Sequence, residues 1–166
     1  TLTVKASAGL KDTLETGAAS TASVTMDGTF SSIPAITSVT AANSGNGVNL
    51  NNGDTVTIVF DQSTNRAGAA SNNVDSTFID GLISLSVGAS FGTGYQGVWK
   101  ATSHADDTLV ITITDVSGAT LVPGTTTFTI ESSANLKDPT SVTGASSSGP
   151  KTLQGTFTSA PAISSV

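Results

Sequence analysis

The sequence predicts an all-β protein: an antiparallel β-sandwich of about seven short strands, preceded by two further strands that duplicate its last two. Three observations carry that expectation. Apolar residues alternate with Thr and Ser in short runs, the period of a half-buried strand. Turns rich in Gly, Asn, Asp and Pro separate those runs roughly every 8–15 residues, and no stretch carries a convincing helical period. Finally, a segment at the N-terminal end recurs in register at the C-terminal end.

Residues 1–8 (TLTVKASA) alternate and are expected as a strand, 9–21 as a loop, and 22–31 (ASVTMDGTFS) as a second strand closed by Pro34. Residues 34–42 open the main unit, and an Asn/Gly turn follows at 43–53. Gly53-Asp54 leads into the cleanest strand, 55–60, where Val56, Ile58 and Phe60 share one face and are expected in the core. A polar loop spans 61–76, and 77–87 reads as a strand with room for a helical turn at 77–82. After a Gly-rich stretch containing Tyr95 comes a short strand at 97–100, whose Trp99, the sole tryptophan, is the expected large core plug. Asp106-Asp107 mark a turn into 108–114, with Leu109, Ile111 and Ile113 inward. Strands at 125–132 and 151–158 complete the unit. A β-barrel is the less favoured closure, and a β-helix would need a much shorter period.

The duplication is specific. Leu10-Lys11-Asp12 falls on Leu136-Lys137-Asp138 at an offset of 126. Gly28-Thr29-Phe30 falls on Gly155-Thr156-Phe157, and Pro34-Ala35-Ile36 on Pro161-Ala162-Ile163, both at an offset of 127. Two separated blocks held in register, with one residue gained between them, read as one period of roughly 127 residues plus an overlap. The expected organisation is therefore 1–33 as end strands of a preceding repeat or a donor-strand segment, 34–160 as the sandwich, and 161–166 as the start of the next repeat or a linker. Strands 1–8 and 22–31 cannot form a stable sheet alone. They are expected to pack on a preceding unit, to be donated to a neighbour, or to pair within the chain, and a head-to-tail series follows from each. Phe30, Pro34, Phe157 and Pro161, which recur in register, are the expected interface residues.

Composition excludes several classes. With a formal net charge of −6 and only 6 Lys/Arg, spread singly, no basic stripe exists for nucleic acid or an anionic membrane. Cysteine is absent, so disulfides and thiolate metal sites are excluded. No apolar run is long enough to span a bilayer as a helix, and no signal peptide is present, as in a mature or excised fragment. Charged residues make up 11 %, well below the usual quarter, and the chain is rich in Thr and Ser.

The blocks Gly53-Asp54-Thr55-Val56-Thr57-Ile58-Val59-Phe60-Asp61, Ser63-Thr64-Asn65, Gly94-Tyr95-Gln96-Gly97-Val98-Trp99 and Leu109-Val110-Ile111-Thr112-Ile113 together resemble a recurrent module of very large surface proteins of algae and other protists. They are also similar to immunoglobulin-like repeats of bacterial and archaeal adhesins and surface layers. The resemblance covers about 53–115 and, with the repeated segments, most of one period. It implies an extracellular, tandem, immunoglobulin-like module without catalytic residues.

Catalytic constellations are weak. His104 is the sole histidine and is expected as an exposed turn residue; no nucleophile elbow accompanies it, so no enzyme is expected. Calcium is the one cofactor the loops would suit, with Asp54 or Asp61 beside Asn65 and Asp75, the 43–54 loop, and Asp106/Asp107 as candidate ligands, although no EF-hand spacing occurs. Tyr95 and Trp99 form a carbohydrate platform only if exposed; a core Trp with a flanking Tyr is the favoured reading. No N-glycosylation sequon is present, while the Thr/Ser loops at 13–23 and 139–150 suit O-linked sugar. The expected function is a structural building unit of an extracellular tandem-repeat fibre, filament or surface layer, joined head-to-tail through the duplicated segment to copies of itself. The alternative is a calcium-stabilised adhesin module that binds a glycan or protein ligand.

Overall fold

The computed structural model describes residues 2–11, 13–14, 17–25, 32–44, 47–140 and 144–158. Two compact units divide at Phe30/Ser31. The first holds a minimal antiparallel pair, β1 (Leu2–Thr3) and β2 (Ser23–Val24), with a 3-10 turn at Ala6–Ala8 between them. The expected strand at 1–8 is thus shorter than the alternation suggested, because the 3-10 turn at Ala6–Ala8, closed by left-handed Gly9 at φ 65°, interrupts it. Of the expected strand at 22–31, residues 26–31 lie outside the described residues.

The second unit is mostly β. Its strands are β3 (Ile36–Ala42), β4 (Thr55–Phe60), β5 (Asn73–Val74), β6 (Ile83–Leu85), β7 (Gly94–Lys100), β8 (Thr108–Asp115), β9 (Thr127–Ile130) and β10 (Lys151–Thr156). They form one curled, mixed sheet in the order β5-β7-β8-β4-β3-β10-β9-β6. The curl arises at β10. Its first residues pair with β9 (Lys151↔Phe128) and its later ones with β3 (Leu153↔Val39). One strand thereby joins two sheet segments.

Strand chemistry explains the centre. In β4 Val56, Ile58 and Phe60 are buried while the Thr and Val residues between them are half-exposed. β8 pairs with β4 over Thr108–Thr112 and buries Leu109, Ile111 and Ile113. Trp99 on β7 is buried and stacks on Phe60 at 5.8 Å between ring centroids. All seven residues expected in the core are therefore interior, joined by Phe128, Ile130, Leu136 and Leu153 from the C-terminal segment. In β3 Ile36 and Val39 are both inward because a bulge between Ile36 and Ser38 resets the alternation.

Two expectations change. The sheet is not wholly antiparallel: β10 runs parallel to β3. Gly155 makes that approach possible, since at φ 83° a Cβ there would lie 2.3 Å from the Ala41 carbonyl oxygen. Residues 77–87 open not as a strand but with the helical turn for which the sequence leaves room at 77–82. Asp75 caps helix α1 (Ser76–Leu82) by accepting from Phe78 N at 2.9 Å, and Ile79 and Leu82, three apart, face the core. The chain turns extended only at Ile83.

Candidate functional site

The duplicated segment is the feature that composition and core packing leave unexplained. Its C-terminal form begins with β9, where Phe128 and Ile130 enter the core beside Phe91, whose ring lies 5.8 Å from that of Phe128. A 3-10 turn at Ser132–Ala134 follows, and Asn135 ends it in the left-handed region, φ 55°. That reversal drives Leu136 inward, where it is fully buried. Ser146 N then donates to Leu136 O at 2.7 Å, and β10 follows.

The N-terminal form repeats several bonds of this path. Its 3-10 turn at Ala6–Ala8 lies 126 residues before Ser132–Ala134, and left-handed Gly9 stands where Asn135 stands. Ala8 N donates to Lys5 O at 2.8 Å, as Ala134 N donates to Glu131 O at 3.0 Å. Ser20 N donates to Leu10 O at 2.8 Å, the counterpart of Ser146 N to Leu136 O. Even the side-chain bond recurs: Ala22 N to Ser20 Oγ at 3.3 Å matches Ser148 N to Ser146 Oγ at 3.4 Å. Leu2 pairs with Val24 as Phe128 pairs with Lys151, so the gained residue lies between Ser148 and Lys151.

Burial separates the two. Leu2 is 59 % exposed where Phe128 is fully covered, and Leu10 is 57 % exposed where Leu136 is fully covered. Val24 adds a third open apolar side chain at 64 %. Leu2, Val4 and Val24 line a shallow groove on the hairpin.

The grip on the C-terminal segment is largely made by main-chain groups. Asn65 holds it with three bonds. Its N–H donates to Lys137 O at 2.9 Å, its Oδ1 accepts from Lys137 N at 2.9 Å, and its Nδ2 donates to Asn135 O at 3.2 Å. Ser146 Oγ donates to Pro34 O at 2.6 Å, and Ser148 Oγ accepts from Ile36 N at 3.1 Å. Of the expected interface residues, Pro34 and Phe157 are buried inside the second unit, while Phe30 and Pro161 lie outside the described residues.

The carboxylates are occupied as loop anchors. Asp54, before β4, accepts from Ser44 N at 3.1 Å and Asn51 N at 2.8 Å. Asp107, before β8, is buried and accepts from the backbone N–H groups of Thr102, Ser103 and His104 and from the Thr108 hydroxyl, at 2.7–3.0 Å. Burial pushes its carboxyl up. The hydrogen bonds from Thr102, His104, Ser103 and Thr108 outweigh that and lower it to about 2. Because β4 and β8 are antiparallel, these two aspartates sit at opposite ends of the pair. Asp61 accepts from Ala35 N at 2.9 Å, Asp75 caps α1, and Asp106 lies 3.7 Å from Arg66. Among the described residues no three His, Asp or Glu side chains converge on a common point that could hold a metal ion.

His104 is exposed, with its ring 3.7 Å from Asp107. Trp99 is interior and so offers no platform for a sugar. Tyr95, half-buried beside Phe91, donates to Asp80; burial first, then that carboxylate, push its phenol well above the usual range. Among the described residues no helix is long and apolar enough to cross a membrane.

Sequence reasoning found the repeated segment but missed Asn65 as its clamp and Asp107 as a buried anchor. The signal for the second was present: Asp-Thr precedes both of the best strands, at Asp54-Thr55 and Asp107-Thr108. Comparisons with protein families, with characterised proteins and with solved structures find no match.

Proposed function

We propose that this chain is a structural building unit: an immunoglobulin-like sandwich module of an extracellular tandem-repeat fibre, filament or surface layer, joined head-to-tail through the duplicated segment. The observation that carries the reading is the matched pair of segments, alike in backbone path and opposite in burial. A segment that keeps leucines at core-type positions while exposing them is built to be covered by something. Strand β10, shared between β9 and β3, supports a sandwich-like closure for the second unit. The location outside the cell rests on the resemblance and on a cysteine-free, Thr-rich, weakly charged composition. In such an array the work is mechanical, with tension passing through the β3–β10 and β4–β8 ladders.

The test is the oligomeric state of the 166-residue chain by light scattering and electron microscopy, across a range of concentrations and with and without a chelator. Head-to-tail oligomers that grow with concentration are expected. A strict monomer at all concentrations would overturn the assembly reading.

A further inference from the structure

We infer that the N-terminal segment, residues 2–25, is the closing hairpin of a second copy of the core formed by residues 31–126, and that it seats there as residues 128–152 seat in their own unit. The inference rests on the reading of a joined array and names the surface that does the joining.

Four observations select this occupant. The hairpin has the backbone path of the C-terminal segment, including the 3-10 turn, the left-handed residue and the Leu2/Val24 register. Apolar residues stand at each described counterpart of a buried apolar position: Leu2 for Phe128, Val4 for Ile130 and Leu10 for Leu136. Ser20 stands for Ser146, whose hydroxyl binds the Pro34 carbonyl in the second unit. The Asn65 clamp reads only main-chain groups of residues 135 and 137, and Gly9 O, Lys11 N and Lys11 O supply the same set whatever their side chains. The seat therefore needs shape, two or three aliphatic side chains and a backbone path, all of which the hairpin has. Its edges are those that receive residues 128–152: β6, which pairs Leu85 with Phe128, and the start of β3, where Ile36 N donates to Ser148 Oγ.

The experiment joins a second copy of residues 31–126 ahead of Thr1 in the full chain and follows amide hydrogen exchange and tryptophan emission. If the hairpin closes the added core, two buried tryptophans are expected. The amides of Val4 and Ser20 should exchange at least about a hundredfold more slowly than in the chain without the added copy. Leu2→Asp with Leu10→Asp in the extended chain should abolish that protection and expose the added tryptophan, while Trp99 and the β3–β10 pair of the original unit stay protected as an internal control for folding. An added core that stays unprotected beside a folded original unit, or one that folds equally well with both aspartates present, overturns the inference. Two folded units in this experiment together with a strict monomer in the scattering experiment would remove the assembly reading and leave this seat standing. Oligomers without a second folded unit would do the reverse.

Discussion

The described residues of 128–152 and of 2–24 follow one local path and end in opposite environments. Phe128 and Leu136 are wholly covered, and Leu2 and Leu10 are mostly open. Local conformation here is set by local chemistry: the 3-10 turn, the left-handed Gly9 or Asn135, and the Ser20 or Ser146 bond back to the leucine that directly follows that residue. Burial is set by whether a core lies beneath. The difference teaches that the segment's path is set locally rather than by the core beneath it. Preorganisation of this kind lowers the ordering cost of association.

The sharpest way to break the comparison is one charge at matched positions. Leu136→Asp places a carboxylate in the closed interior and should cost more than about 4 kcal/mol, enough to unfold the second unit. Leu10→Asp at the exposed counterpart should change the stability of the isolated chain by less than about 0.5 kcal/mol. Thermal unfolding followed by Trp99 emission measures both. Equal losses would mean that the two positions share an environment, and the contrast would be gone.

Next in size is Asp107, which anchors the loop at the β8 end of the unit that holds the covered segment. Asp107→Ala leaves three backbone donors without their acceptor and should cost about 2–4 kcal/mol. The pH dependence has a definite sign. The folded carboxyl sits at about 2, below its ordinary 3.8, so its contribution is fully present above pH 4 and is lost as pH falls through 2. Asp115, lowered by bonds from Ser117 and Thr93, acts in the same direction. The melting temperature of the second unit should therefore hold above pH 4 and drop below it, and Asp107→Asn should flatten the drop. A profile unchanged by that substitution would remove Asp107 from the account.

These residues also mark what the sequence makes legible. The β4 and β8 cores were readable because period-two alternation with Thr between apolar residues is a local signal, and so was the duplicated segment. Parallel pairing of β10 with β3 was not, because the partners are over a hundred residues apart and the enabling feature is one glycine, Gly155. Helix α1 was half-visible: Ile79 and Leu82 have helical spacing, but seven residues are too few to outweigh the β-rich run Ile83–Leu85. Asp107 was misjudged because Asp106-Asp107 looks like a solvated turn. Only the fold makes one of the pair interior.

A smaller effect tests the clamp. Asn65→Ala removes the two side-chain bonds to residues 135 and 137 and should cost about 1–2 kcal/mol, read as a fall in unfolding midpoint. The exchange protection of Ser146 N should fall with it, while Ser20 N in the monomeric chain stays unchanged. Parallel loss at Ser20 in the monomer would contradict a clamp that acts there on the covered segment.

The smallest expected effect bears on whether the two segments are one device. Asn135 and Gly9 occupy the same left-handed position, at φ 55° and 65°. Asn65 binds the carbonyl of Asn135, and the Asn135 side chain itself makes only a 3.4 Å bond to Ser133 O. A glycine there keeps the carbonyl, adopts the left-handed region without strain and loses little else, though it loosens the unfolded chain. Asn135→Gly should therefore shift stability by less than about 1 kcal/mol, as denaturant midpoints would register. The reverse change, Gly9→Asn, should leave the hairpin path intact, because asparagine tolerates the left-handed region better than other side chains do. A loss of more than about 2 kcal/mol from Asn135→Gly would show that the covered segment relies on a side chain its counterpart lacks. The backbone likeness would then be shape without interchangeability, and the case for a shared seat would weaken with it.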